Sequence, residues 1–178
     1  MIQKEYAICI INKKDDIMQN SIYSQYLSND RLSDLFGLAL LRDVVLPDLM
    51  GDDVNNILYF EGKKLARRFP LANQSDEITF FEQAKFGHLE QVKTTTKQVV
   101  WLLSGIEVEP RLKQPESFML EAGFLAQQVE QQLGFIAEAE VKKEKHGIEI
   151  TVHVDPKDLL EAEEVDPQTL TIINPSEN

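Results

Sequence analysis

Residues 135–154 alternate in hydropathy with a period of two, which commits this stretch to a β-hairpin with one dry face. Phe135, Ala137, Ala139 and Val141 are separated by Glu138, Glu140 and Lys142. After a charged turn ending at Gly147, Ile148, Ile150, Val152 and Val154 alternate with Glu149, Thr151 and His153. Successive strand side chains point to opposite faces, so one face packs on a core and the other meets water. The segment just before it, 117–133, has the helical period instead. Phe118, Ala122, Leu125, Val129 and Leu133 share one face, Ser117 is placed to cap it, and Gly134 is placed to end it. Ala122, Gly123 and Ala126 are small enough to let another backbone come near. Gln127, Gln128, Glu130, Gln131 and Gln132 are expected to face water.

Earlier segments add helices and a second strand pair. Leu32, Leu35, Phe36, Ala39 and Leu46 predict a helix over 31–46, ended by Pro47. Val54, Ile57, Leu58, Leu65 and Phe69 predict another, with Asp52 as N-cap and Pro70 as terminator. Gly62 lies mid-helix, where it costs about 1 kcal/mol against alanine, so it points to close approach by another element. Asp76 is expected to cap a short helix to about Phe86. Strands are expected at 89–94 and 97–104, the second with the continuous apolar run Val99–Leu103 of a strand covered on both faces. Pro156 is expected to close the last strand, ahead of a short helix near 157–163. The fold class is α+β: helices packed on a twisted antiparallel sheet of about four strands. The domain reading is an N-terminal extension at 1–30, a single α+β domain at 31–155 and an acidic C-terminal tail at 156–178.

Charge limits the partners. Eighteen Lys and Arg against thirty Asp and Glu give −12, and residues 155–178 carry seven acids and one base, half of that total. Bulk charge of this sign argues against nucleic acid as a partner. The tail reads as a solvated end, or alternatively as a docking segment for a basic partner. No apolar stretch approaches the length of a membrane span, so no integral membrane segment is expected. The apolar run Tyr6–Ile11 is too short for a signal peptide and lacks small cleavage-site residues after it. Cys9 is the single cysteine, which excludes a disulfide framework and suits a cytoplasmic setting.

The residues that could carry chemistry do not assemble in sequence. Glycine-rich phosphate loops and a nucleophile elbow are missing. His88, His146 and His153 share no metal-ligand spacing, so neither a metal nor a cofactor is expected. His146 and His153 read as surface residues and His88 as a partly buried structural one. Cys9, among Ile8, Ile10 and Ile11, reads as a small buried hydrophobe. Arg42, Glu61, Arg67 and Arg68 read as ion-pair or helix-end partners near the surface, with anion binding as the alternative. No catalytic residue is assigned, and the chain reads as a non-enzyme.

The blocks LLRDVVLPDLMGDD…ILYFEGKKLARRFPL (Leu40 to Leu71) and FMLEAGFLAQQVEQQLG (Phe118 to Gly134) resemble the YslB-like family, a domain of unknown function, from about Leu32 to Asp155. That family is similar in turn to the four-vinyl-reductase domain, a hydrocarbon-binding type, and more distantly to small TRAPP subunits. The block Ala122 to Ala126, Gly134 and the hairpin carry that second likeness. The resemblance implies helices covering a twisted antiparallel sheet, a TRAPP-subunit-like or vinyl-reductase-domain-like arrangement, with an apolar cavity or tunnel and a homodimer. The vinyl-reductase domain has cysteines before the long helix and in the last hairpin. Phe118 stands near the first position here and the hairpin has none, so no metal is carried over.

Together these readings give a non-catalytic binding domain for a small apolar ligand, with Tyr59, Phe60, Phe86, Trp101 and Phe124 as candidate ligand-binding residues. The alternative is a homodimeric structural or adaptor protein without a bound ligand.

Overall fold

The computed structural model describes residues 22–113, 115–160 and 169–173. Cys9 and its apolar neighbours lie outside the described residues. Helical residues 22–27 lead into α1 (Asp30–Ser33), α2 (Phe36–Leu40), a π-turn at Leu41–Val45, and α3 (Leu46–Met50). Then come α4 (Val54–Arg68), α5 (Gln74–Gln83), β1 (His88–Thr94), β2 (Gln98–Ser104), α6 (Met119–Leu133), β3 (Phe135–Lys143) and β4 (Gly147–Leu159). The architecture is α+β, and the four strands form one antiparallel sheet in the order β1-β2-β4-β3.

The register places Trp101 of β2 between Gln91 of β1 and Ile150 of β4. Val99, Trp101 and Leu103 share the inner face with Ile148, Ile150, Val152 and Val154, all buried. The alternation in the sequence therefore does mark the face against the helices. Helix α6 lies on this face and α4 packs across α6. A Cβ on Gly62 would collide with the Leu120 carbonyl oxygen, and one on Gly123 with the Tyr59 carbonyl oxygen. The two glycines are thus reciprocal: each removes the side chain that would hold the α4 and α6 backbones apart.

This three-layer stacking overturns the expected water-facing side of α6 at Gln127, Gln128 and Glu130, while Gln131 is half-buried and Gln132 is exposed as expected. Every residue from Glu121 to Glu130 is buried, Gln127 and Gln128 among them. The amides are used as internal partners instead. Gln128 Nε2 donates to the Phe69 carbonyl oxygen (2.8 Å), and its Oε1 accepts from the Leu71 N–H (3.0 Å). Over Glu121–Glu130 the sheet lies on one side and another helix on the other, so the polar residues there must pair inside.

Several expected ends move by one element. Pro47 does not stop the helix: α2, the π-turn and α3 run on without a break, the Leu46 N–H donating to the Leu41 carbonyl oxygen five residues back, and the wider π-turn just before it lets the proline ring sit in the first turn of α3. Asn73, not Asp76, caps α5: its side chain accepts from the N–H groups of Ser75 (2.9 Å) and Asp76 (3.2 Å). Neither Asp52 nor Ser117 caps a helix, and Asp53 and Phe118 are the N-cap residues of α4 and α6. Pro156 lies within β4. The register shifts between Phe135 and Ala137, pairing them with Leu159 and Val154, so residues 155–158 bulge out of the ladder and Pro156 forgoes no ladder hydrogen bond. Beyond β4, the Leu170 N–H donates to the Pro70 carbonyl oxygen (2.6 Å) and Gln83 Nε2 donates to that of Ile173 (2.8 Å). Residues 169–173 are thereby held against the helices.

Candidate functional site: a cavity at the C-terminal end of α6

Three elements meet beside the last turn of α6. The first turn of α5 brings Gln74 and Glu77, the β1–β2 hairpin brings Thr94, Thr95, Val99 and Trp101, and α6 brings Val129, Gln132 and Leu133. Together with Gln91 they line a cavity of about 140 Å³. Glu77 precedes the fully buried Phe81 by one helical turn, so both point inward. Acids are ordinary in the first turn of a helix, but Glu77 is only 1% exposed. Gln132 Nε2 donates to Glu77 Oε1 at 2.9 Å and also to the Leu71 carbonyl oxygen at 3.3 Å. Burial pushes the Glu77 carboxyl up to about 7, against the opposing effect of the Gln132 hydrogen bond. Trp101, also 1% exposed, has an indole Nε1–H with no hydrogen-bond partner among the described residues. Within the lining, Glu77 is the one ionisable side chain.

A different solution operates at the other end of α6. Glu121, fully buried, accepts from Arg42 on one carboxylate oxygen and from Arg111 Nη1 on the other (3.2 Å). Arg111 Nε lies 3.4 Å from Asp43 Oδ1, and both guanidiniums also donate to the Ser117 carbonyl oxygen. Each guanidinium rests on a ring, Arg111 4.0 Å above Phe118 and Arg42 5.6 Å from Phe86. Burial pushes the Glu121 carboxyl up, but Arg42 and Arg111 more than offset it and hold it below the ordinary carboxylate range. The π-turn in the α2–α3 run carries Arg42 and Asp43 into this cluster. Arg42 is thus the ion-pair partner expected of it, half-buried against Glu121. Glu61 is paired at the surface with Lys64 (2.6 Å), and Arg67 donates to Gln127.

A third polar group joins α4 to α6 and β3. Lys63 Nζ donates to Glu130 (3.0 Å), Glu138 (2.9 Å) and the Ala137 carbonyl oxygen (3.1 Å). The Tyr59 hydroxyl donates to Glu138 and accepts from the Ala139 N–H (2.8 Å). These contacts tie the helices to the edge strand.

Of the five candidate ligand residues, Trp101 lines the cavity and the other four do not. Tyr59 is buried in the Lys63 group, and Phe60 is 61% exposed on α4. Phe124 is stacked on Phe80 at 4.9 Å. Phe86 packs edge-on against Phe81 at 5.4 Å. His88 is exposed and lies 3.1 Å from Glu82, and His153 lies 3.1 Å from Glu140. Among the described residues, no group of three or more His, Cys, Asp or Glu side chains is placed to hold a metal. No described helix is long and apolar enough to cross a membrane. A larger hollow of about 790 Å³ between residues 25–32 and Glu109–Pro110 is shallow and mostly polar, with Leu32 its one buried lining residue.

Residues 35–154 match the family described as a protein of unknown function, DUF2507. The chain belongs to this family. Its relative in Bacillus subtilis (strain 168), the uncharacterized protein YslB, is 38% identical over 127 residues, spanning 69% of this chain and 86% of that protein. The DUF2507 match covers all the residues lining the α6 cavity and the whole Glu121 cluster.

Proposed function

We propose that this DUF2507 domain is a non-catalytic binding domain for a small, largely apolar ligand held in the cavity beside α6. The cavity carries this reading: Val99, Val129 and Leu133 form apolar walls, Glu77 and Trp101 are buried at its edge, and Gln74, Gln91, Thr94, Thr95 and Gln132 complete a polar rim. At about 140 Å³ it matches an engineered cavity of about 150 Å³ that admits benzene. It is too small for the long chain that a hydrocarbon tunnel would enclose. The lining combines one carboxyl with the hydroxyls of Thr94 and Thr95 and holds no second acid or base, which favours holding over turnover.

Native mass spectrometry of the purified protein, followed by solvent extraction, tests this. The expected result is a discrete added mass released as a ring-sized molecule. Filling the space with Val129→Phe should abolish that mass while the far-ultraviolet circular dichroism stays native. Persistence of the adduct in the folded variant would place the ligand elsewhere.

One observation favours the homodimer reading beside it. Leu41, Val45 and Leu49 follow one another at four-residue spacing along the α2–α3 run and are 59%, 40% and 77% exposed. Such a stripe is the kind of apolar face that a second copy covers, and it carries no charge of its own to set two chains of net −12 against each other. Sedimentation equilibrium should give twice the chain mass, and Leu41→Glu with Leu49→Glu should give the monomer.

A further inference from the structure

We infer that residues 169–173 form a strap that clamps the cavity: seated, it fixes α5 and keeps a ligand in place, and lifted, it lets α5 loosen and the ligand leave. This rests on the binding reading above and adds how that site is regulated.

The strap reaches both ends of α5. Three successive carbonyls leave the end of α4, and each has a different donor. Those of Phe69 and Leu71 accept from Gln128 (2.8 Å) and Gln132 (3.3 Å) of α6. That of Pro70, between them, accepts from the Leu170 N–H (2.6 Å). Pro70 has no N–H, so this carbonyl is its one backbone hydrogen-bonding group. Further along the strap, the Ile173 carbonyl oxygen accepts from Gln83 Nε2 (2.8 Å), on the last residue of α5. Ile172, between those two bonds in sequence, is half-buried and packs on the core. Thr169, Thr171, Ile172 and Ile173 are β-branched and suit an extended chain.

What the strap holds is the loosest wall of the cavity. Helices α4 and α6 are locked together at their reciprocal glycines, whereas α5 rests mainly on β1. Yet α5 brings Gln74 and Glu77 to the lining. The Gln132 amide that holds Leu71 also holds Glu77 (2.9 Å). The link from strap to site is therefore short: Leu170 to Pro70, Leu71 to Gln132, Gln132 to Glu77. The strap itself is lightly held. Leu170 is 36% exposed and Ile173 71%, so two hydrogen bonds and one half-buried side chain must offset the ordering of the whole segment. A seating balanced this closely is one that a bound ligand can shift.

The test compares the full chain with full-length variants. Leu170→Pro removes the N–H that reaches Pro70, Leu170→Ala keeps it, and Gln83→Ala frees the other end of the strap. Amide hydrogen exchange followed by NMR reads α5. Titration with benzene, followed by the amide shifts of Gln74 and Thr95, reads the cavity. Leu170→Pro should speed exchange across Ile78–Gln83 by about tenfold, the worth of one net hydrogen bond, with β2 and β4 unchanged. It should also weaken benzene binding by about tenfold. Gln83→Ala should act in the same direction, and Leu170→Ala should leave both readings at the wild-type level. Linkage requires the converse: saturating benzene should slow exchange of the Leu170 amide in the wild type by about the same factor. Unchanged α5 exchange in Leu170→Pro and Gln83→Ala would show that the strap is no clamp. Faster exchange with unchanged benzene affinity would overturn its hold on the site and leave the binding reading intact. A wild type that binds no benzene would remove the binding reading, and the regulation with it.

Discussion

Both ends of α6 bury carboxyl groups, and they settle them in opposite ways. At the N-terminal end Glu121 is held ionised by Arg42 and Arg111, with Asp43 beside them and aromatic rings beneath. Three buried atoms here make no hydrogen bond among the described residues, Nε of each guanidinium and the Ser117 hydroxyl, but both guanidiniums already have other partners. The void beside this cluster, about 20 Å³, has room for about one water. At the C-terminal end Glu77 has an amide for a partner and no cation, the only polar atom of the Trp101 side chain has none, and about 140 Å³ stands open beside them. The contrast teaches where to look for function in a chain without a catalytic motif. Buried charge that is internally matched holds elements together, whereas buried polarity left unmatched next to space is where the ligand site is proposed.

The largest expected effect is at the matched end. Glu121→Leu strands Arg42 and Arg111 in the interior and should cost about 3–5 kcal/mol of stability in urea unfolding. A loss below about 1 kcal/mol would erase the contrast. At the open end the sign reverses. The Glu77 carboxyl titrates near 7 in the fold against about 4.3 in an unfolded chain, so the folded state binds more protons between those values. The contribution of Glu77 therefore falls as pH climbs from about 4.3 through 7. Glu77→Gln should then stabilise the protein by up to about 3 kcal/mol at pH 8.5 and by almost nothing at pH 4, measured by urea unfolding across that range. Midway along the helix, Gly123→Ala presses a methyl group on the Tyr59 backbone and should cost about 1–3 kcal/mol in the same assay. A neutral outcome would mean that α4 and α6 can separate. The smallest effect belongs to an ion pair in water. Lys64→Ala removes the contact with Glu61 and should move stability by about 0.5 kcal/mol or less, which calibrates the buried cluster against an exposed pair.

Much of this frame was legible in the sequence. Period-two alternation marked the inner face of β4, and Gly62 pointed to close approach by another element, because glycine inside a helix is unfavourable unless a neighbour needs the space; that the neighbour is the helix carrying Gly123 came from the structure. Gln127 and Gln128 of α6 misled, since amphipathic reasoning assumes that one side of a helix meets water, and α6 has no such side before Gln132. Arg42 was visible as a polar residue in an apolar helix. Its partner Glu121 lies 79 residues away, and a pairing of that reach leaves no spacing to read. Asp43 and Arg111 escaped for the same reason. At the cavity, Trp101 stood out as an aromatic in a buried strand. Glu77 did not, because an acid in a first helical turn is unremarked there. Its one signal was the four-residue step to Phe81, which puts it on the inward face.

The most direct test follows both carboxyls in one experiment. Side-chain ¹³C-carboxyl NMR, on protein labelled at glutamate and assigned through Glu77→Gln and Glu121→Gln, would be recorded from pH 3 to pH 9. The account predicts that Glu77 titrates near 7 while Glu121 stays ionised below the ordinary glutamate range. A Glu77 midpoint at the ordinary value of about 4.3 would contradict it. The cavity would then be wet, its polar groups would already be served by water, and the two ends of α6 would not differ in kind.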